Sequence, residues 1–299
     1  MKFLVILVCL TINYLWLKDV DRFDDSWFFR LRSWLQETTS KFGDRPNGWL
    51  LPVALTYVLL LGLLAFVLWL ANGLVFGIAT MLVHIMVVLI AFDRTQPGMM
   101  AREYLDRLGA QGDQEARDYL QQEMRCSEPV PEPRDQMTRM FGRLLIHRAF
   151  ERMFVMFFWY MLAGAPGVVF TYISYQMQDS HREDQEQNEV QFIASIIGLL
   201  EWIPMRLLAL TFSLAGNFVQ CFESLKRNFW ETDLHVDNGA LLHDYASCAL
   251  SGIVEMGSGP ESGTDREAIE ISALQGLLER SQAIWLTVLA AITLLDLPI

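Results

Sequence analysis

The sequence predicts an all-α fold of the polytopic membrane class, and three observations carry that prediction. Hydrophobic residues make up 53% of the 299, with a mean hydropathy of +0.26, which is more apolar than a soluble chain of this length. Two almost unbroken apolar stretches, Trp49–Ala71 and Gly73–Phe92, follow one another nearly without a gap. The positive charge is unevenly spread: sixteen basic residues fall in Lys18–Gly48 and Asp93–Arg152, whereas Gln176–Gln191 holds Arg182 alone. There is no strand-like alternation of useful length and no internal repeat.

An apolar helix needs about 20 residues to cross roughly 30 Å of hydrocarbon. Trp49–Ala71, Gly73–Phe92 and Met153–Tyr175 meet that length with no charged side chain inside. Phe3–Leu17 is shorter. It follows Lys2 as the apolar core of a signal peptide would, but no small-x-small cleavage site comes after it, so an uncleaved first helix is expected. Residues 193–220 are apolar apart from Glu201 and Arg206, each costing about 2.5–3.5 kcal/mol at a helix centre on insertion scales. The expected segments are therefore 3–17, 49–71, 73–92, 153–175, 193–220 and 283–299. The Lys/Arg bias then puts 18–48, 93–152 and 222–282 in the cytoplasm. The acidic connector 176–191, with Asp179, Glu183, Asp184, Glu186 and Glu189, faces outside, as do both termini. The lipid bilayer is the expected first partner.

The connectors are themselves expected to be helical. Glu103, Tyr104, Arg107 and Leu108 recur at helical spacing, and Glu115, Ala116, Tyr119, Leu120 and Glu123 do the same after a break at Gly109-Ala110-Gln111-Gly112. Cys126–Asp135 holds three prolines in five residues and reads as a loop, as does Gly257–Thr264. The net charge of −12 excludes nucleic acid as a partner, because a phosphate backbone needs a basic surface. Cys9, Cys126, Cys221 and Cys248 have no C-x-x-C spacing and are expected as reduced thiols.

The most unusual local feature is Glu201-Trp202-Ile203-Pro204-Met205-Arg206-Leu207. Pro204 removes a backbone donor and starts or kinks a helix. Arg206, inside an apolar run, either pairs with a carboxylate or lines a polar cavity that receives an anion. Gly164-Ala165-Pro166-Gly167 interrupts the fourth segment, and its small residues let backbones approach closely. His84 sits mid-segment as a packing residue or part of a polar path. His235, Asp237, His243 and Asp244 fit no metal motif, Gly257–Thr264 lacks the end of a P-loop, and no G-x-S-x-G is present. Neither a metal nor a cofactor is expected.

Several of these features occur in order along nearly the whole chain. Glu201–Leu207 resembles the acidic/Asn-aromatic-Ile-Pro-x-Arg-Leu signature of the AmpE and CobD/CbiB membrane superfamily. His147-Arg148-Ala149, then Phe157-Phe158-Trp159-Tyr160 and Gly164-x-Pro166-Gly167, is similar to that family's helix with its Gly/Pro motif. Trp230, Asn238-Gly239 and Ala246-x-x-Ala249-Leu250-x-Gly252 resemble its carboxy-terminal element. The AmpE branch implies a cytoplasmic-membrane sensor or signal transducer associated with an inducible β-lactamase. The CobD/CbiB branch implies an ATP-dependent amide ligase of late cobalamin assembly. That branch carries an Asp-Pro-rich amino terminus and a Glu-Asn-Thr/Ser-Asp segment. Here Met1–Lys18 has no Asp-Pro, and Glu151-Arg152-Met153-Phe154-Val155-Met156 has neither Asn nor Asp, so the AmpE branch is favoured and no catalytic residue is assigned.

The resemblance further implies a polar pocket for a small anionic ligand, such as a cell-wall-related metabolite. Arg206 would supply its charge, Asn238 an amide, Arg148 a second charge, and Glu201 an acidic neighbour. Gly164, Pro166, Gly167 and Pro204 would break and pack helices. A transporter would instead show paired broken helices in two related halves, and no half-to-half similarity is present.

Overall fold

The computed structural model describes residues 2–15, 26–39, 48–72, 77–91, 97–110, 112–124, 128–179, 187–218, 221, 226, 238–256 and 263–294. Among them every regular element is helical. The helices are α1 (Lys2–Leu15), α2 (Ser26–Thr39), α3 (Leu50–Ala71), α4 (Ile78–Ala91), α5 (Pro97–Ala110), α6 (Asp113–Asp118), α7 (Arg134–Ala149), α8 (Met156–Asp179), α9 (Gln187–Ala215), α10 (Asn238–Met256) and α11 (Gly263–Leu294). A π-helical turn, Tyr119–Glu123, extends α6, and another, Phe150–Val155, joins α7 to α8. The chain forms two compact units. Unit 1 is Met1–Arg94 with Val155–Trp202 and Pro298–Ile299, and unit 2 is Thr95–Phe154 with Ile203–Leu297.

Three helical runs among the described residues are long and apolar enough to cross a bilayer: Leu50–Ala71, Arg134–Asp179 and Gln187–Ala215. Lys2–Ile12 and Ile78–Ala91 are apolar but shorter. The expected segment 73–92 appears as a 14-residue helix of about 21 Å, preceded by Gly77 at φ 83°. Residues 73–76, 92–96 and 295–299 lie outside the described residues, as do Glu183, Asp184, Glu186, Trp230, His235, Asp237 and most of the Gly257–Thr264 loop.

In unit 1, α3 is apolar on every side and largely uncovered: Val58 is 68% exposed, Leu63 56% and Trp69 70%. A helix hydrophobic all round, yet not buried in protein, is suited to lipid. One side of α3 packs on α8, where the Tyr57 hydroxyl meets that of Ser174 at 2.9 Å and its ring lies against Phe170. α4 packs on both α1 and α8. His84 Nδ1 is 3.0 Å from the Tyr160 hydroxyl, and Lys2 Nζ donates to the Met161 carbonyl at 2.7 Å.

α8 breaks at Gly164, where φ is 69° and ψ is −150°. Such a conformation favours glycine, and Pro166 adds the loss of a backbone donor. The break folds the chain so tightly that a Cβ on Gly167 would sit 2.6 Å from the Trp159 carbonyl oxygen.

At the other end of α8, Arg32 of α2 donates to the Met177 carbonyl (3.2 Å) and forms a buried ion pair with Glu189 at the start of α9. Trp49, just before α3, meets Phe192 edge-on. These contacts place α2 beside both ends of the 176–191 connector.

Unit 2 is a helical cluster in which α7 packs on α10, α5 and α11, and α11 also packs on α5 and α10. Tyr104 and Phe141 stack in parallel at 4.1 Å in its core, beside fully buried Leu108, Leu120, Met137 and Leu145. Gly112, at φ 92°, separates α5 from α6, in the Gly109–Gly112 break read from the sequence. Arg134 ties the start of α7 to Asp113 (2.6 Å) and to Glu267 of α11 (3.8 Å). The small residues Ala246 and Ala249 are fully buried. Asn217 N–H donates to the Ala249 carbonyl at 3.0 Å, and a Cβ on Gly216 would lie 2.5 Å from that oxygen. The Ala-x-x-Ala spacing therefore serves close backbone contact.

Candidate functional site

The Glu201–Arg206 stretch lies inside α9, with Pro204 in the helix interior. A proline there leaves the carbonyl four residues earlier, that of Leu200, without its helical donor. Trp159 supplies the replacement: its indole Nε1–H donates to the Leu200 carbonyl at 3.1 Å. Glu201 is 3% exposed and accepts a 2.7 Å hydrogen bond from the Tyr175 hydroxyl. Arg206 is also buried. One helical turn on, Thr211 accepts from the Trp285 indole at 3.0 Å and donates to the Leu207 carbonyl.

The four residues expected at a ligand site are divided between the two units. Glu201 belongs to unit 1, whereas Arg206, Arg148 and Asn238 belong to unit 2. Arg148 Nη2 donates to the Met124 carbonyl at 2.9 Å, which anchors the end of the π-helical turn after α6. Asn238 is the first residue of α10.

Unit 2 also holds an open cavity of about 850 Å³ whose walls are α7, α10, α11 and the proline-rich loop Glu128–Pro131. None of Glu201, Arg206, Asn238 and Arg148 lines it. Its polar wall brings Arg139 and Arg143, one helical turn apart on α7, together with His243 and Asp244 of α10. Arg266 and Glu270 of α11 complete the charged lining, and Leu250 and Leu274 supply apolar surface. Arg143 is paired with Glu128 at 3.3 Å. Arg139 and Arg266 show no ion pair among the described residues.

His243 owes its position to Gly142, where a Cβ would come within 3.2 Å of the imidazole Nε2. That nitrogen is buried with no hydrogen-bond partner, while Nδ1 is 3.5 Å from the Ser247 hydroxyl. Burial holds the imidazole below its ordinary pKa. Arg139 and Arg143 push the same way, and Asp244 opposes them. At neutral pH the group is an uncharged imidazole within the electrostatic reach of two guanidinium groups. Such a wall can accept an oxyanion, and the anion's charge would favour a proton on His243.

Of the arginines in 93–152 only Arg148 is expected at a ligand site from the sequence, and His243 is weighed there only as a metal ligand. The i, i+4 spacing of Arg139 and Arg143 was the available clue to a shared face.

The family described as regulatory signalling modulator protein AmpE matches residues 20–243. The chain belongs to the AmpE family. The matched region begins before α2 and ends at His243 of the cavity. No curated protein matches the chain, and no solved structure does.

Proposed function

We propose that this AmpE-family chain is a multi-pass inner-membrane regulatory protein that binds a small oxyanion-bearing ligand in the unit 2 cavity. The downstream process is β-lactamase induction and the response to cell-wall stress. The observation that carries the ligand reading is the convergence of Arg139, Arg143, Arg266 and His243 on one cavity. A carboxylate or phosphate would give acceptors to Arg139 and Arg266, which show no ion pair among the described residues, and Leu250 and Leu274 offer surface to an apolar portion. The helix bearing the two arginines runs through Phe150–Val155 into α8, so one wall of the cavity is continuous with an apolar run long enough to cross a bilayer. Arg206, Glu201, Asn238 and Arg148 stand as a second set of positions, with buried charge in an apolar helix as the support for Arg206. The ligase reading finds no support in Glu151–Val155, which is a π-helical segment without Asn or Asp.

Calorimetry on the purified full chain tests the pocket, with inorganic phosphate and an alanyl-alanine dipeptide as separate probes. Saturable binding of either, weakened at least fivefold by Arg139→Gln, supports it, and the better probe tells phosphate from carboxylate. No binding of either probe, or equal affinity in the variant, overturns it. The regulatory reading is tested in a deletion strain of the host. Restored β-lactamase induction with wild type, but not with Arg139→Gln at equal membrane levels, supports it; induction unchanged on deletion refutes it. An Arg206→Ala chain that inserts normally and restores full induction removes Arg206 from the site.

A further inference from the structure

We propose that α2 lies in the headgroup boundary of the bilayer, on the periplasmic face together with the 176–191 connector, with Trp27, Leu31 and Trp34 turned to lipid. Its residues divide into three sides. Phe28, Arg32, Leu35 and Thr39 are buried against unit 1. About a quarter turn round the helix, at 100° per residue, come Trp27, Leu31 and Trp34, with the two indoles 40% and 57% exposed. Arg30, Ser33, Gln36 and Glu37 are exposed on the remaining side, with half-buried Phe29 among them, and Thr38 shares the side of the indoles. One side for protein, one aromatic and one polar is the pattern of a helix lying along a membrane surface, where Trp is enriched.

Lipid is the occupant because the aromatic side is continuous with a lipid-facing surface. α2 packs on α3, whose exposed positions include Leu51, Leu55, Val58 and Leu59. Trp49 opens α3 on the side held by Phe192. Trp69, stacked near Phe66, lies 20 residues further on, about 30 Å along a helix. That spacing equals the hydrocarbon thickness, so the two indoles mark the two boundaries and α2 sits at the first.

The face follows from parity. The buried Arg32–Glu189 pair holds α2 on the face of the 176–191 connector, and the run Arg134–Asp179, long enough to cross, separates that connector from Asp93–Arg152 with its ten arginines. That segment is cytoplasmic by the Lys/Arg bias, which leaves α2 outside. Arg32, one of the six basic residues in 18–48, is neutralised by Glu189 in the buried pair.

The test uses the full chain with its four cysteines replaced by alanine, expressed in spheroplasts. Single variants Gln36→Cys, Gln187→Cys and Gln121→Cys are treated with a membrane-impermeant maleimide before and after permeabilisation. The expected result is labelling of the first two in intact spheroplasts and of the third only after permeabilisation. Any other grouping overturns the proposal. A nitroxide on Trp34→Cys in reconstituted vesicles gives an independent reading: relaxation by oxygen should exceed that by a water-soluble nickel chelate. The reverse order, or burial from both, would mean that water or a protein partner covers this side.

Discussion

At the level of single residues, His243 makes the sharpest prediction. Its folded pKa lies below the unfolded one, so the unfolded chain binds the proton more readily and the neutral imidazole's contribution is complete above the ordinary value of about 6.5. Stability is lost as pH falls from there through the folded pKa. Thermal unfolding of the purified chain should therefore drop more steeply between pH 7.5 and pH 5 in wild type than in His243→Gln. Parallel profiles would remove the depressed imidazole from the account. Gly216 predicts a clash instead. Adding a methyl group 2.5 Å from the Ala249 oxygen forces backbone to move, and Gly216→Ala should cost about 1–3 kcal/mol in unfolding experiments. Ala249→Gly should give little rescue, because the obstructing atom is main chain.

Helices are the scale at which the sequence was most legible. The long apolar run of α3, the break after Ala110 and the interruption at Gly164 follow from composition and from the conformational limits of glycine and proline. What could not be read was how each interruption is satisfied. Pro204 announced a missing donor, but nothing in the spacing said that an indole 45 positions earlier would replace it. Likewise the cavity depends on three helices and a loop meeting, a long-range fact that leaves no local pattern. The Trp159–Leu200 contact predicts coupling. Trp159→Phe orphans a buried carbonyl, at a cost of about 1–3 kcal/mol. In the Pro204→Ala background the helix regains its own donor, and the same substitution should cost about 1 kcal/mol less. A double-mutant cycle on thermal stability gives the answer, and strict additivity would mean that the indole bond carries no weight. The Arg32–Glu189 pair between α2 and α9 behaves differently. Removing one partner strands a buried charge, so Arg32→Gln should destabilise by about 3–5 kcal/mol, whereas an apolar double replacement should recover most of the loss.

For the molecule as a whole, the uneven positive charge and the uncovered apolar helix lead to the same environment. The chain should stay with the membrane after a high-pH carbonate wash, and release into the supernatant would contradict the spanning reading. The separation of Trp49 and Trp69 also carries a consequence for which membranes suit this protein. Two indoles fixed about 30 Å apart on one rigid rod cannot adjust their spacing to the lipid around them. In vesicles of short-chain lipid the rod must lean or the bilayer must thicken beside it, and in long-chain lipid the bilayer must thin. Infrared dichroism of oriented films should therefore find the helices more tilted as the acyl chains shorten. The tilt of this one helix would then register the thickness of the membrane around it.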